Sequence, residues 1–402
     1  MSRTFVAHPI FTGENMPFLP EKLLEGFRSR AATVDATNAF PEDDYRELRE
    51  AGYLGAFVPK EYGGAGLTLP EICAEQTRLA RFAPATALGI NMHHIIVGLG
   101  RYLVSQGVSN GELILREAAA GKLFAFGISE PGNDLVLFGS LSIATPDGNG
   151  GFTISGTKVF TSLAPAWDYL MTFGAWKNDD GVRNVFGVLK REDGGFEVKP
   201  DWDTLGMRAT QSNTTVLQDA KIPADAVLGI VQPGANVEPV VYGIFSHFEI
   251  LLGATYQGIG ERAIEVACEH VKNRRSVMNN DVYAHDPAIR WRLAEAALHM
   301  YPVGPALREL ANKVENATVG VPEEVASLAD YPKLSAAKNL AAESSLRAVE
   351  ESIRSCGGSS YYTKHELSRL YRDVLAGLFQ PSDQESLHSA WATALLGPLP
   401  QK

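Results

Sequence analysis

The apolar residues of this chain change period twice, and a chain that does so cannot be a single bundle, a single sheet or one alternating α/β stack. Up to Gly121 they recur at helical spacing. Leu23, Leu24, Phe27 and Ala31 share one face behind Pro20. Pro41 opens a second helix with an acidic first turn (Glu42, Asp43, Asp44) that stops near Gly52. After a glycine-rich loop from Pro59 to Gly66, Pro70 starts a third helix, continued by Ile72, Cys73, Gln76 and Leu79. From Phe124 the texture becomes short runs of β-branched and aromatic residues: Phe124–Ser129, Leu141–Ala144, Phe152–Ser155, Tyr169–Phe173, Val185–Leu189 and Thr214–Leu217. Turn clusters such as Asp147–Gly151, Asn178–Gly181 and Asp193–Gly195 part them, with no helical pattern between. From about Pro239 the helical period returns, with Leu251, Thr255, Ile259, Ala263 and Val266 on one stripe and further helices around residues 290–316, 333–356 and 368–376. The reading is an α+β multidomain protein with an N-terminal helical domain (1–121), a central antiparallel β barrel or sandwich (122–236) and a C-terminal helical bundle (237–402). Pro302 and Pro305, with Gly304 between them, predict a break near Tyr301.

Composition narrows the function classes. A formal charge of −11 repels polyanions, so nucleic acid is not an expected partner. Cys73, Cys268 and Cys356 are scattered and odd in number, which fits a reducing compartment and neither a disulfide framework nor a zinc site. The first twenty residues lack the continuous apolar stretch of a secretory signal, and a cytoplasmic location is expected. His93 and His94 are read as a packed pair rather than ligands, since no carboxylate lies at i±4, and no metal is expected.

The richest stretch runs from Phe126 to Ser162. An apolar run ending in Ser129-Glu130-Pro131-Gly132 exposes backbone N–H groups that can hold the oxygens of a bound ring or phosphate. Two apolar alternations later comes Gly156-Thr157-Lys158-Val159-Phe160-Thr161-Ser162. Further on stand Asp203–Thr210, followed by Val216 and Ile222-Pro223, and then Cys356-Gly357-Gly358 with Leu370–Asp373.

These four motifs, in this order on an α–β–α chain, resemble the acyl-CoA dehydrogenase family of flavoproteins from about Leu23 to Gly397. The first is similar to that family's flavin-binding turn, T-E-P-x-A-G-S-D, shortened by about two residues. The second is similar to G-x-K-x-W-I-T-N. The resemblance implies FAD as cofactor, with the turn from Phe126 as cradle and with Ser129 and the backbone around Ile128 at the pyrimidine edge of the ring. It further implies Asn133 facing the pyrophosphate, Phe160 as an aromatic plate in the slot of a tryptophan, and Ser162 in the slot of the threonine near N5. Arg274, Ser276, Gly357 and Gly358 match positions that serve the cofactor of a neighbouring subunit, so a homodimer or homotetramer is expected, while Val277 and Arg354 depart from the pattern. The resemblance also implies a substrate such as an acyl-CoA thioester and an electron-accepting flavoprotein or a reductase as partner.

The catalytic base is the largest departure. The family removes an α-proton with a carboxylate, but the usual slot falls on Pro381 and the alternative one on Phe248. Two chemistries follow: dehydrogenation with Glu249, Asp383 or Glu385 as a displaced base, Glu249 being favoured because its apolar neighbours would raise its pKa, or monooxygenation by reduced flavin and oxygen, which needs no such base. A flavin-binding scaffold without chemistry ranks behind both.

Overall fold

The computed structural model describes residues 17–321 and 324–397. The N-terminal helices are α1 (Glu21–Thr37), α2 (Glu42–Glu50), α3 (Leu69–Ala80), α4 (Pro84–Ser105) and α5 (Gly111–Ala119). Thr68 and Glu71 form a reciprocal capping box at the start of α3, and Pro70 lies in its first turn, where a missing N–H costs nothing. Helix α4 is buried nearly all round, His93 and His94 included. His93 Nε2 bonds the Leu54 carbonyl (2.8 Å), and its Nδ1 accepts the Phe124 N–H (3.2 Å), so this histidine ties the helical layer to the first strand.

The central domain comprises β1 (Phe124–Phe126), β2 (Ile143–Pro146), β3 (Phe152–Lys158), β4 (Tyr169–Asn178), β5 (Gly181–Lys190), β6 (Phe196–Val198), β7 (Thr215–Ile222) and β8 (Val227–Val231). Their order is β6-β7-β3-β2-β4-β5-β8, with β1 added against β4. Most pairs are antiparallel, but β1 and β2 run parallel to β4, so the sheet is mixed rather than purely antiparallel. The Ser129–Gly132 turn lies between β1 and β2 and the β3 strand between β2 and β4, a spacing that permits parallel pairing without a crossover helix.

The C-terminal part is α6 (Pro239–Asn273), a two-residue hairpin of β9 (Arg275–Ser276) and β10 (Asp281–Val282), α7 (Pro287–Met300), α8 (Val303–Thr318), α9 (Asp330–Cys356), α10 (Glu366–Val374) and α11 (Gln384–Leu396). The helical pattern around residues 290–316 is interrupted where Pro302 sits, between α7 and α8, as the prolines require. Helix α6 packs against α3 and α4 on one side and α9 on the other. Buried residues therefore encircle much of it instead of forming the single stripe expected. A Cβ on Gly258 would meet the Thr77 carbonyl oxygen at 2.3 Å, which explains a glycine in the middle of so long a helix.

Candidate active site

The turn after β1 is pinned from inside. Gly127 N–H donates to Met171 O (2.9 Å), and the Thr172 hydroxyl donates to Gly127 O (2.7 Å). Glu130, 6 % exposed, then collects Lys158 Nζ (2.7 Å), the Ser142 hydroxyl (2.6 Å), the Ser140 hydroxyl (2.7 Å) and the N–H groups of Leu141 (2.6 Å) and Ser142 (2.9 Å). Burial alone would raise the Glu130 pKa, but the Lys158 charge and these donors outweigh it and hold the carboxyl down at about 2. Lys158 also donates to Phe173 O (2.8 Å) and lies over the Phe173 ring. The lysine of the second motif and the glutamate of the first are thus one buried pair that fixes their relative position.

With the turn held this way, among the described residues nothing accepts from the N–H of Ile128 or Ser129, and the Ser129 hydroxyl has no partner. Those donors are free to bond an acceptor brought to the turn. Phe126, buried, packs its ring 5.8 Å from Phe248 on α6 and stands behind the cradle. Asn133 does not present its amide outward as expected. It donates to Glu130 Oε2 (2.7 Å) and Gly139 O (2.8 Å) and accepts from Leu135 N (3.0 Å), because an Asx turn at this position satisfies the side chain locally.

Phe160 is no core residue. The residue is 65 % exposed, and its ring rests edge-on against Trp202. Its backbone is left-handed (φ 56°), as are those of Leu163 (68°), Met207 (52°) and Gln211 (44°). Four non-glycine residues in that costly region, on two segments joined by Leu163 N→Thr210 O and Ala164 N→Gln211 O, mark a site whose geometry is held by its surroundings. Ser162, buried, heads a chain of hydroxyls: Ser162 Oγ to Ser212 Oγ (2.7 Å), Ser212 Oγ to Thr210 Oγ1 (2.7 Å), and Thr210 Oγ1 to Met207 O (2.8 Å). Met207 N–H in turn donates to Asp373 Oδ1 (2.6 Å), whose pKa burial pushes up to about 6. Gly206 is required beside it, since a Cβ there would lie 2.0 Å from Arg372 O.

Phe248 and Pro381 stand in the base slots counted from the motifs, and the nearby carboxylates differ in their surroundings. Glu249 Oε1 accepts both the N–H (2.9 Å) and the hydroxyl (2.7 Å) of Ser382, while its Oε2 is buried without a partner. Burial raises the Glu249 pKa against the opposing Lys338 charge and the Ser382 hydrogen bonds. Lys338 donates to the carbonyls of Gly377 (2.8 Å), Gln380 (2.6 Å) and Ser382 (3.0 Å), and Asn339 adds a second bond to Ser382 O (2.8 Å). Asp383 caps α11 through Ser386 N (2.9 Å), and Glu385 is exposed in the first turn of that helix. The one-residue offset of Glu249 from the alternative slot turns its side chain by about 100°, from the side where Phe248 meets Phe126 toward the Ser382 loop. Lys338 and the Ser212–Thr210 pair were not identified from sequence. Lys338 and Ser212 find partners 39 to 50 residues away, and although Thr210 ends the Asp203–Thr210 motif, nothing local signals its contact with Ser212.

The outer positions are open. Arg274 is exposed and lies over the Tyr283 ring, and Ser276 Oγ accepts from Asn279 N (3.2 Å). Gly357 and Gly358 are exposed, and a Cβ on either would meet nothing within 4 Å. Nearby, one ligand atom each from His270, Cys356 and His365 lies within 4.8 Å of the others. His365 Nδ1 accepts the Leu367 N–H, which leaves the proton on Nε2, and burial pushes the Cys356 thiol up to about 11. Both disfavour metal ligation.

This combination of a helical domain, a mixed sheet carrying the cradle, and a helical bundle is that of a flavoprotein oxidoreductase fold. Residues 22–107 match the acyl-CoA dehydrogenase N-terminal domain and residues 250–379 the acyl-CoA dehydrogenase C-terminal domain, and the chain belongs to the acyl-CoA dehydrogenase family. It is 28% identical to the putative acyl-CoA dehydrogenase YdbM of Bacillus subtilis (strain 168), over 93% of this chain and 94% of that one. It is 29% identical to L-evernosamine nitrososynthase of Micromonospora sp., over 87% and 82%. The structure of KijD3 in complex with FMN and dTDP-3-amino-2,3,6-trideoxy-4-keto-3-methyl-D-glucose superposes with a TM-score of 0.82 at 26% identity, covering 95% of this chain and 93% of that one. Relatives of both chemistries thus share this fold and length. No helix among the described residues is long and apolar enough to cross a membrane.

Proposed function

We propose that the protein is a flavin-dependent monooxygenase, using reduced flavin supplied by a separate reductase. The observation that carries this reading is the anchored wall at residues 377–382. Where a dehydrogenase of this family needs a free carboxylate, this chain has Pro381, and Glu249 and Lys338 hold the backbone around it from beneath. A monooxygenase needs a dry, aromatic-lined site and no α-proton base. Phe126 and Phe248, 5.8 Å apart, supply an aromatic wall, the exposed Phe160 is free to close over a bound ring, and the free donors of Ile128 and Ser129 suit the pyrimidine edge of the ring. Flavin, when bound, supplies two electrons, so that one atom of oxygen enters the substrate and the other leaves as water. The likeness to a nitrososynthase and to an FMN-bound sugar-nucleotide complex supports a small-molecule substrate.

One observation favours the second reading, a dehydrogenase with Glu249 as base: Oε2 of that buried carboxylate has no partner, and its pKa is raised. Stopped-flow spectroscopy of the flavin-loaded protein separates the two. Under the first reading, no acyl-CoA bleaches the oxidised flavin without oxygen, whereas chemically reduced enzyme mixed with oxygen reoxidises through spectrally distinct stages. Rapid anaerobic bleaching by an acyl-CoA would establish the second.

A further inference from the structure

We infer that Ser162 is locked as a hydrogen-bond acceptor by Ser212 and Thr210, and so favours a flavin whose N5 carries a hydrogen, the reduced form, over one whose N5 is a bare lone pair. The inference rests on the reading that Ser162 faces N5 of a bound flavin, and it deepens that reading by assigning the polarity of the contact.

A count of hydrogens fixes the direction of the chain. Three hydroxyls carry one hydrogen each, and the chain contains three short oxygen–oxygen contacts: Ser162 to Ser212 at 2.7 Å, Ser212 to Thr210 at 2.7 Å, and Thr210 to the Met207 carbonyl at 2.8 Å. Two oxygens this close without a hydrogen between them repel, so each contact consumes one hydrogen. The carbonyl has none to give, so the last contact takes the Thr210 hydrogen. The middle contact then takes that of Ser212, and the first takes that of Ser162. Thr210 and Ser212 are 0 % and 4 % exposed, so water does not relieve the count. Every hydrogen points along the chain toward Met207 O, and Ser162 Oγ keeps only lone pairs for any further partner. The carbonyl that terminates the chain is itself fixed, because Met207 N–H is bonded to buried Asp373 at 2.6 Å and Met207 sits in a left-handed conformation. A serine free to rotate would donate to oxidised N5 and accept from reduced N5 with equal ease, but this one can only accept. Ser212 and Thr210 are positioning residues. They act through Ser162 and touch no reacting atom. For an oxygenase the bias is useful, since the enzyme must retain flavin delivered in the reduced state.

The test is the midpoint potential of flavin bound to the full chain, with FMN and FAD as probes. Thr210→Val is isosteric and removes the acceptor of the Ser212 hydrogen. That hydrogen then turns to Ser162, whose own hydrogen turns to N5. Preference for reduced over oxidised flavin should fall at least about tenfold, which lowers a two-electron potential by about 30 mV. Ser212→Ala should shift it in the same direction by freeing the Ser162 hydrogen directly, and Ser212→Thr, which keeps the hydroxyl, should restore the native potential. Oxidised flavin should bind the two disrupting variants at least as tightly as it binds the native protein, an outcome that general loosening of the site does not produce. An unchanged potential in flavin-loaded Thr210→Val and Ser212→Ala, or an equal shift in Ser212→Thr, overturns the inference. Failure of the native protein to take up either flavin overturns the flavin reading itself, and the inference with it.

Discussion

Glu130 and Glu249 are both buried glutamates beside a buried lysine, yet their surroundings give them opposite properties. Glu130 touches Lys158 directly and accepts from two hydroxyls and two backbone N–H groups besides, so it stays ionised. Glu249 has Ser382 on one oxygen and nothing on the other. Replacing Glu130 by Gln leaves Lys158 as an uncompensated buried charge and should cost about 3–5 kcal/mol. The pH dependence follows from its depressed pKa. The native carboxyl titrates near 2 and the unfolded one near 4.5, so its contribution is fully present above pH 4.5 and is lost as pH falls toward 2. Chemical denaturation of native protein and Glu130→Gln should therefore give midpoints far apart at pH 7 that converge below pH 4.5. Midpoints equally far apart at pH 3 would show that the Glu130 charge is not what matters. Glu249→Gln, in contrast, keeps the oxygen that accepts from Ser382. Oxygen-dependent turnover should change less than about tenfold, and anaerobic flavin reduction by acyl-CoA should be absent in both proteins. A hundredfold loss of such reduction would make Glu249 the base.

At the scale of elements, the loop from Gly377 to Ser382 behaves as part of the bundle because Lys338 on α9 gathers three of its carbonyls and Glu249 on α6 takes its N–H and hydroxyl. Lys338→Met should cost about 3–5 kcal/mol and raise hydrogen exchange across the loop, while the double change with Glu249→Leu should recover much of that loss by removing the orphaned charge. A double variant as unstable as the sum of the two singles would refute the coupling. None of this was legible in the sequence, where Lys338 is one more charge on a helix and its partners lie about forty residues on. The elements were legible where periodicity acts locally. The switch at Gly121, the return at Pro239 and the break before Val303 all follow from residue types within one or two turns of the chain. Strands β6 and β8 were missed because one is three residues long between glycines and a proline, and the other contains Gly229. The parallel pairing of β1 and β2 with β4 was missed because pairing is a property of two distant segments. In the site, the Ser129–Gly132 turn and the Phe160–Ser162 segment stand out in the sequence as motifs, whereas the local bonds that hold the Asn133 side chain and the contact of Ser212 with Ser162, 50 residues away, leave no sequence signal.

For the whole molecule, the distribution of exposed apolar groups argues for a second copy of the chain. Val277 (98 %), Met278 (95 %) and Tyr361 (93 %) stand almost fully in solvent, on the β9–β10 hairpin after α6 and the turn after α9. Large side chains this exposed, beside Arg274 and the open Gly357-Gly358, mark a surface built for contact. If FAD is the cofactor, Arg274 and the open Gly357-Gly358 are outward-facing groups that could meet its adenosine end. We therefore expect a closed homodimer or a dimer of dimers in which FAD spans two subunits, its ring end in one and its adenosine end against Arg274 and the glycine pair of the next. Three measurements follow. Sedimentation should show no monomer at micromolar concentration. Val277→Asp combined with Met278→Asp should shift the protein toward monomer and lower FAD affinity while leaving FMN affinity, which depends on the cradle alone, nearly unchanged. Arg274→Ala should lower FAD affinity about tenfold or more, equivalent to about 1.4 kcal/mol, without altering assembly. A native monomer that holds FAD tightly would sink the shared site, and equal losses of FAD and FMN in Arg274→Ala would place that arginine's influence on the fold rather than on the adenosine end.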